Sequence, residues 1–194
     1  MALNVGIYLY DNAEVLDFAG PFEVFSTANR LHSEPAFHVF LIGETGATIE
    51  ARGGFQVIPA YSFNNHPPID VLIVVGGVHT AELLKPNVLR WIGANTESAK
   101  LVASVCTGVF LLATAGVIQS ETVTTHWEDI PDLRRDFPNL HIKENTPWVD
   151  QDRVVTSAGI SAGIGMSLHL VSRLVSQDLA IRTARQMEFD WQLS

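Results

Sequence analysis

Cysteine is almost absent: Cys106 is the single one in 194 residues. One thiol excludes an intramolecular disulfide and fits a reducing compartment. Charge is also scarce, at 17% of residues, which is below the usual share for a soluble domain and leaves room for a surface covered by a partner. Positive charge is the scarcer sign, with 12 Lys and Arg against 21 Asp and Glu and a net charge of −9. Such a surface repels phosphate, so nucleic acid is not expected as a partner of this chain alone. No apolar run exceeds about ten residues, whereas a membrane span needs ~20. The first ten residues lack the basic flank and apolar core of a signal peptide, so the expectation is a cytoplasmic protein that binds no membrane. No His, Cys and Asp cluster has metal-ligand spacing, so no metal is expected. There is no internal repeat, low-complexity segment or Pro/Gly linker, which leaves residues 1–194 as one expected domain.

What is present is an alternation of apolar runs and amphipathic stretches. Val5–Tyr10, Phe37–Ile42, Ile69–Val75 and Leu101–Val105 read as buried strands, the third closed by Gly76 and Gly77. Weak β segments fall around Thr48 and Gln56, with short strands at Thr122–Thr125 and Arg153–Thr156. Pro21–Arg30 reads as a helix with Pro21 at its tolerated first position. Further helices are expected over Pro86–Thr96, Gly108–Ala115, Ser161–Val175 and Leu179–Met187. Strand and helix in turn predict an α/β fold, a mostly parallel sheet with helices on both faces.

The segment Leu101–Phe110 carries the chemistry. An apolar strand runs into an apolar helix with almost no loop, and Cys106 sits at the junction. Ser104, Thr107 and Gly108 supply the small neighbours that a sharp strand-to-helix turn requires, the geometry of a nucleophile elbow with Cys in place of Ser. Free N–H groups opening the next helix favour an anion there, which predicts a depressed thiol pKa and a better nucleophile. Gly76 and Gly77 end a strand at the same sheet edge, and their N–H groups are expected to stay free for a bound substrate.

The blocks Val15–Phe25, Val74–Gly77, Ser104–Gly108, Thr124–Trp127 and Ser157–Gly163 resemble the ThiJ/PfpI superfamily, in the same order and spacing over nearly the whole chain. Two branches are most similar: isocyanide hydratase, and the amidotransferase-like sensor domain that precedes AraC-type DNA-binding domains. The resemblance implies a flavodoxin-like three-layer sandwich, a homodimer, and a cysteine in contact with an acid from the first strand–helix connection, here Asp17. That position also suits a helix cap, and the two roles can coexist. His126 belongs to a block in which the His need not touch the sulfur. Glu23 is the second acid of its block and is expected to brace the site or the dimer. Ile160 is expected to pack near the cysteine helix. Two positions depart from the pattern: His79 stands where the hydratase branch has glycine, and Gly165 where the family tends to have Asp.

By resemblance, the chain is expected to be a cofactor-independent cysteine enzyme acting on a small electrophile. Cys106 would attack an isocyanide to give a thioimidate, and Asp17 would act as acid and base. N–H groups near Gly77, Val78 and Thr107 would position substrate or water, and the product would be an N-substituted formamide. The alternatives are a ligand-sensing domain of an AraC-type regulator and a redox- or electrophile-responsive protein whose cysteine oxidises readily. The ending Arg185–Trp191 resembles stand-alone members more than a linker into a DNA-binding domain.

Overall fold

The computed structural model describes residues 2–192. In chain order the elements are β1 (Leu3–Tyr8), α1 (Val15–Leu31), β2 (Phe37–Gly43), β3 (Ile49–Ala51), β4 (Phe55–Val57), β5 (Tyr61–Ser62) and β6 (Val71–Val74). They continue with α2 (Pro86–Ser98), β7 (Leu101–Val105), α3 (Gly108–Thr114), β8 (Thr122–Val123), α4 (Ile130–Asp136), β9 (His141–Ile142), β10 (Trp148–Gln151), β11 (Val154–Ser157), α5 (Ala162–Leu174) and α6 (Gln177–Gln186). Seven strands form one sheet in the order β10-β11-β7-β6-β1-β2-β5. All pairs are parallel except the edge hairpin β10–β11. Helices α1, α5 and α6 pack together on one face, and α2 and α3 on the other. This is the expected flavodoxin-like three-layer arrangement. Among the described residues no helix is long and apolar enough to cross a membrane.

The β-branched runs explain the centre of the sheet. β6 and β7 are buried along their whole length, as a strand covered on both faces must be. Two small ladders stand apart from the main sheet: the hairpin β3–β4, and β8 with β9. The strand expected at Thr122–Thr125 therefore pairs outside the main sheet, while β11 joins it beside β7.

The first helix differs from expectation. It starts at Val15, so Pro21 lies inside it rather than at its first position. A proline there removes the hydrogen bond to the Asp17 carbonyl, a loss of roughly 3 kcal/mol in a solvated helix. Burial of Phe18, Val24, Phe25 and Ala28 along the same helix outweighs that local preference.

Close backbone approach fixes α3. A Cβ on Gly108 would collide with the carbonyl of Val74, at the end of β6. Helix propensity alone favours alanine over glycine at this position by about 1 kcal/mol. The packing predicts the opposite sign: Gly108→Ala should lower stability by about 2 kcal/mol, read as a drop in the urea midpoint. A stabilised variant would show that α3 is free to move off β6.

Candidate active site

β1 continues to β2 on one side of the sheet and β6 continues to β7 on the other, so a crevice opens at the carboxyl ends of β1 and β6, where doubly wound sheets bind ligands. Three connections meet there: residues 9–14 after β1, 75–79 after β6, and the turn at 106–107 after β7. Backbone bonds knit them together. Glu14 N–H donates to the Gly76 carbonyl at 3.0 Å and Val78 N–H to the Asn12 carbonyl at 3.1 Å. Gly77 N–H donates to Thr107 Oγ1 at 3.0 Å, and the same hydroxyl donates to the Gly77 carbonyl at 3.1 Å. Gly76 must be glycine for this approach, since a Cβ would come within 2.5 Å of the Thr107 nitrogen and 2.8 Å of the Cys106 Cβ.

Cys106 has φ 55 and lies between the last residue of β7 and the start of α3. A non-glycine residue in the left-handed region stores about 1–3 kcal/mol of strain and persists only where its surroundings dictate it. Here the Cys106 N–H donates to the Ala158 carbonyl at 3.3 Å, and its carbonyl accepts from Thr125 Oγ1 at 2.9 Å. Only 7% of the residue is exposed.

Asp17 sits in the first turn of α1 and is fully buried. It caps nothing: its Oδ2 accepts from the Gly76 N–H at 3.0 Å, and Glu14 occupies the cap position. Its Oδ1 has no partner in full hydrogen-bond geometry, while the Cys106 side chain and the Ile160 N–H lie near enough to favour its ionised form. Ile160 holds φ 57, an outlying conformation for a β-branched residue.

Burial dominates the proton balance. It raises the Asp17 carboxyl from 3.8 to about 7, with the Gly76 N–H opposing and the Glu14 charge adding to the rise. Burial also pushes the Cys106 thiol well up, followed by the Asp17 charge, against the Thr107 N–H that pulls it down. The depressed thiol pKa expected from the helix start is therefore overturned. One N–H at the head of the seven-residue α3 is outweighed by desolvation, and Asp17, Asp129 and Glu14 all add negative charge. Tyr10, buried beside the turn, donates to the Val75 carbonyl at 3.3 Å. Its hydroxyl is raised chiefly by burial, and Thr107 opposes this through a hydrogen bond.

The structure brings Cys106, Asp17, Thr107, Gly77 and Ile160 together. It does not leave the N–H groups of Gly77 and Val78 free, which corrects the expected substrate-binding role. Both are engaged, by Thr107 Oγ1 and by the Asn12 carbonyl. His126 does not bond to the sulfur: its Nδ1 faces Asp129 at 3.4 Å, and its ring packs on Gly159. Glu23 lies on the exposed side of α1, where it accepts from Thr27 at 3.0 Å and pairs with Arg30 at 3.4 Å, so it does not brace the site. His79 packs its ring on Phe110, with centroids 4.6 Å apart, and burial lowers its pKa. Gly165 admits the Trp148 ring, which a Cβ would meet at 3.0 Å, so the acid of the family pattern has no room here. Sequence reasoning missed Tyr10, the Gly76 N–H that anchors Asp17, and Arg52. Arg52 bonds Glu14 Oε2 at 3.1 Å, and its N–H reaches the Ala13 carbonyl from the end of β3. Among the described residues no group of three or more His, Cys, Asp or Glu converges to hold a metal.

Residues 4–173 match the family model described as the DJ-1/PfpI family. The isonitrile hydratase of Pseudomonas putida is 32% identical over 97% of this chain and 79% of its own length. The HTH-type transcriptional regulator GbdR of Pseudomonas aeruginosa is 27% identical over 91% of this chain, which spans only 48% of the regulator. A THiJ/PfpI family protein from Pseudomonas syringae superposes with a TM-score of 0.87 at 22% identity, over 100% of this chain and 77% of its own.

Two outcomes follow from the proton balance. Asp17 has a folded pKa above its unfolded value, so the folded chain holds this proton more tightly. Stability then falls as pH rises from about 4 to about 7, by a few kcal/mol in all. The thermal midpoint of the wild type should drop more between about pH 5 and pH 8 than that of Asp17→Asn, and equal drops would show that the carboxyl is ionised throughout. Arg52 offsets the charge of Glu14, which acts on both Asp17 and Cys106. Arg52→Gln should move the pH midpoint of Cys106 alkylation upward, more at low salt than at high, with Arg52→Lys restoring it.

Proposed function

The chain belongs to the DJ-1/PfpI family, and from that premise we propose that it is a cofactor-independent cysteine enzyme that hydrates isocyanides to N-substituted formamides. The observation that carries the reading is Asp17: a fully buried carboxyl, anchored through Oδ2 on the Gly76 N–H, with Oδ1 left unpaired beside the cysteine turn. The Pseudomonas putida relative is an isonitrile hydratase.

Cys106 and Asp17 together hold one proton in the reactive state. The thiolate attacks the terminal carbon of R–N≡C, and Asp17 delivers its proton to that carbon, giving the thioimidate R–N=CH–S–Cys. Asp17, now ionised, takes a proton from water as the oxygen adds to the same carbon, and passes it to nitrogen. Collapse of R–NH–CH(OH)–S–Cys returns the hydroxyl proton to Asp17 and expels the thiolate, releasing R–NH–CHO. The sum is isocyanide plus water, and the pair ends with the proton it started with. An Asp17 carboxyl near neutrality suits this use, because a group must both give and take a proton near the working pH. The Thr107 N–H, which favours the charged form of the sulfur, supports the leaving thiolate.

A second reading is a ligand-sensing domain of an AraC-type regulator, favoured by the GbdR match, in which this chain spans about half of the regulator.

The test is formamide production from an aryl isocyanide by reduced protein. Wild type should turn over, Cys106→Ala should be inactive, and Asp17→Asn should lose at least about 100-fold, the usual contribution of a positioned acid–base group. Absence of turnover by folded wild type across several isocyanides would overturn the hydratase assignment. Full activity in Asp17→Asn would overturn the proton path alone.

A further inference from the structure

On the side of the sheet covered by α2 lies a run of aromatic rings that the hydration steps do not use. The Tyr8 ring packs on Tyr10 with centroids 5.8 Å apart and on Trp91 of α2 at 5.5 Å. Phe63 stacks on Trp91 at 4.2 Å and closes the group against Tyr8 at 5.5 Å. Tyr8 is fully buried, and Trp91 keeps 9% of its surface in water. At the inner end Tyr10 meets the cysteine turn. Its hydroxyl donates to the Val75 carbonyl at 3.3 Å, next to Gly76, where a Cβ would come within 2.8 Å of the Cys106 Cβ. Ionisation of Cys106 is felt at that hydroxyl.

A core cluster needs only to pack. Here two of the rings also aim a proton at an acceptor. Tyr8 Oη donates to Glu82 Oε2 at 2.5 Å, in the range of a charge-assisted bond. Trp91 Nε1 donates to His66 Nε2 at 3.0 Å. Glu82 is buried, a rare position for Glu unless it is paired, and Lys85 Nζ holds its other oxygen at 2.5 Å. Such acceptors are what one-electron oxidation of Tyr and Trp requires. The neutral ring keeps its proton and the oxidised ring is a strong acid, so electron and proton leave together. Burial, and then the charge of Glu82, raise the Tyr8 hydroxyl far above an ordinary phenol, so Glu82 does not take the proton from the neutral ring. The thiol meanwhile is nearly covered, which keeps a bulky oxidant off the sulfur.

We propose that Trp91 and Tyr8, bridged by the Tyr10 ring, form a relay that carries a single oxidising equivalent from the outer face of α2 to Cys106. An outer-sphere one-electron oxidant takes an electron from Trp91, and the Nε1 proton passes to His66. Tyr8 then gives its electron to the Trp91 radical and its proton to Glu82, and His66 returns the indole proton. Cys106 gives an electron to the Tyr8 radical through Tyr10 and its proton to ionised Asp17, and Glu82 returns the phenol proton. The sum is thiol and oxidant going to thiyl radical, reduced oxidant and a proton on Asp17. Tyr10 is a bridge because its hydroxyl faces a carbonyl and Thr107, neither of which is a base. The relay rests on these rings and acceptors and not on isocyanide hydration.

The test is flash oxidation of the reduced protein by tris(bipyridine)ruthenium(III) in air. A thiyl radical takes up oxygen, and Cys106 is then recovered as an oxygenated peptide by mass spectrometry. Every protein carries Trp127→Phe, because that indole is 71% exposed and offers the oxidant a second target. Oxygenated Cys106 should form in this parent and be lost in Trp91→Phe, Tyr8→Phe and Glu82→Gln. Tyr10→Phe keeps the bridging ring and should retain it, as should Tyr61→Phe, which stacks on Phe40 outside the relay. In the transient spectrum the indolyl radical should decay as a tyrosyl radical rises, and it should persist in Tyr8→Phe. Where Tyr8→Phe does not fold, Trp91→Phe, which keeps a ring against Phe63, carries the test. Oxygenated Cys106 at the parent yield in Trp91→Phe or Tyr8→Phe would overturn the relay. So would a parent whose radical stops on Tyr8 and leaves Cys106 intact.

Discussion

A thiol and a carboxyl are buried together and the charged groups acting on them, Glu14 and Asp129, are acids, so burial and charge both oppose their ionisation, and the rest of the site is arranged around that constraint. Desolvation raises both groups, so neither ionises as it would in water. Two like charges at this depth repel, so loss of the first proton strengthens retention of the second. The few stabilising contacts are backbone N–H groups: Gly76 on the carboxylate, Ile160 beside it, and Thr107 on the sulfur. Fixed amide dipoles can favour the anion in either position without adding a counter-charge that would lock it in one. Arg52, one residue removed behind Glu14, tempers the acidic surroundings without entering the pair.

The frame has to be rigid for so few contacts to act. Its rigidity comes from close approach and strain rather than from many side-chain bonds. Gly76 lets the cysteine turn press on the loop after β6, and Gly108 lets α3 start against the end of that strand. Gly163 does the same where α5 meets Val105, and Gly20 where α1 meets Ile164. Asn12, Cys106 and Ile160, in the connections after β1, β7 and β11, all adopt positive φ. Such backbone conformations persist only when a well-packed surround dictates them. The buried centre of β1, β6 and β7 supplies that surround.

The fold was legible because the strands that build the sheet are also its most apolar, β-branched segments. Ile69–Val75 and Leu101–Val105 state their burial in composition alone. The turn at Cys106 was legible for a related reason, since an apolar strand meeting an apolar helix across Thr107 and Gly108 leaves little choice of geometry. Other features depended on contacts that lie far apart in sequence. Pro21 obeyed a local rule on paper, but burial of α1 against the sheet overrode it. The Gly77 and Val78 N–H groups looked free because nothing local shows that Thr107 and Asn12 reach them. Glu23, the second acid of its block, was expected to brace the site or the dimer, but six residues along the helix from Asp17 it turns away from the site toward Thr27 and Arg30. The sign of the Cys106 shift was missed because a helix start is visible in sequence and the depth of a site is not. Arg52 was hidden for want of a pattern, since β3 is three residues long.

The same geometry accommodates an enzyme and a sensor, and the difference reduces to one oxygen. Both readings need a covered cysteine and a cleft. A sensor that captures an electrophile is complete once the sulfur–carbon bond has formed. An enzyme must then bring water to that carbon and move protons from oxygen to nitrogen and back, which requires a base that is free at that moment. The carboxylate oxygen anchored on the Gly76 N–H is held away from that task. The other, Oδ1, is buried without a partner in full hydrogen-bond geometry, and the Cys106 side chain and the Ile160 N–H lie near the carboxyl. Leaving a carboxylate oxygen unsatisfied in the interior is unfavourable by about 1–3 kcal/mol or more, and a binding module gains nothing from it. A catalyst that must return its proton in every cycle does, and that is the physical argument behind the proposed hydratase reading.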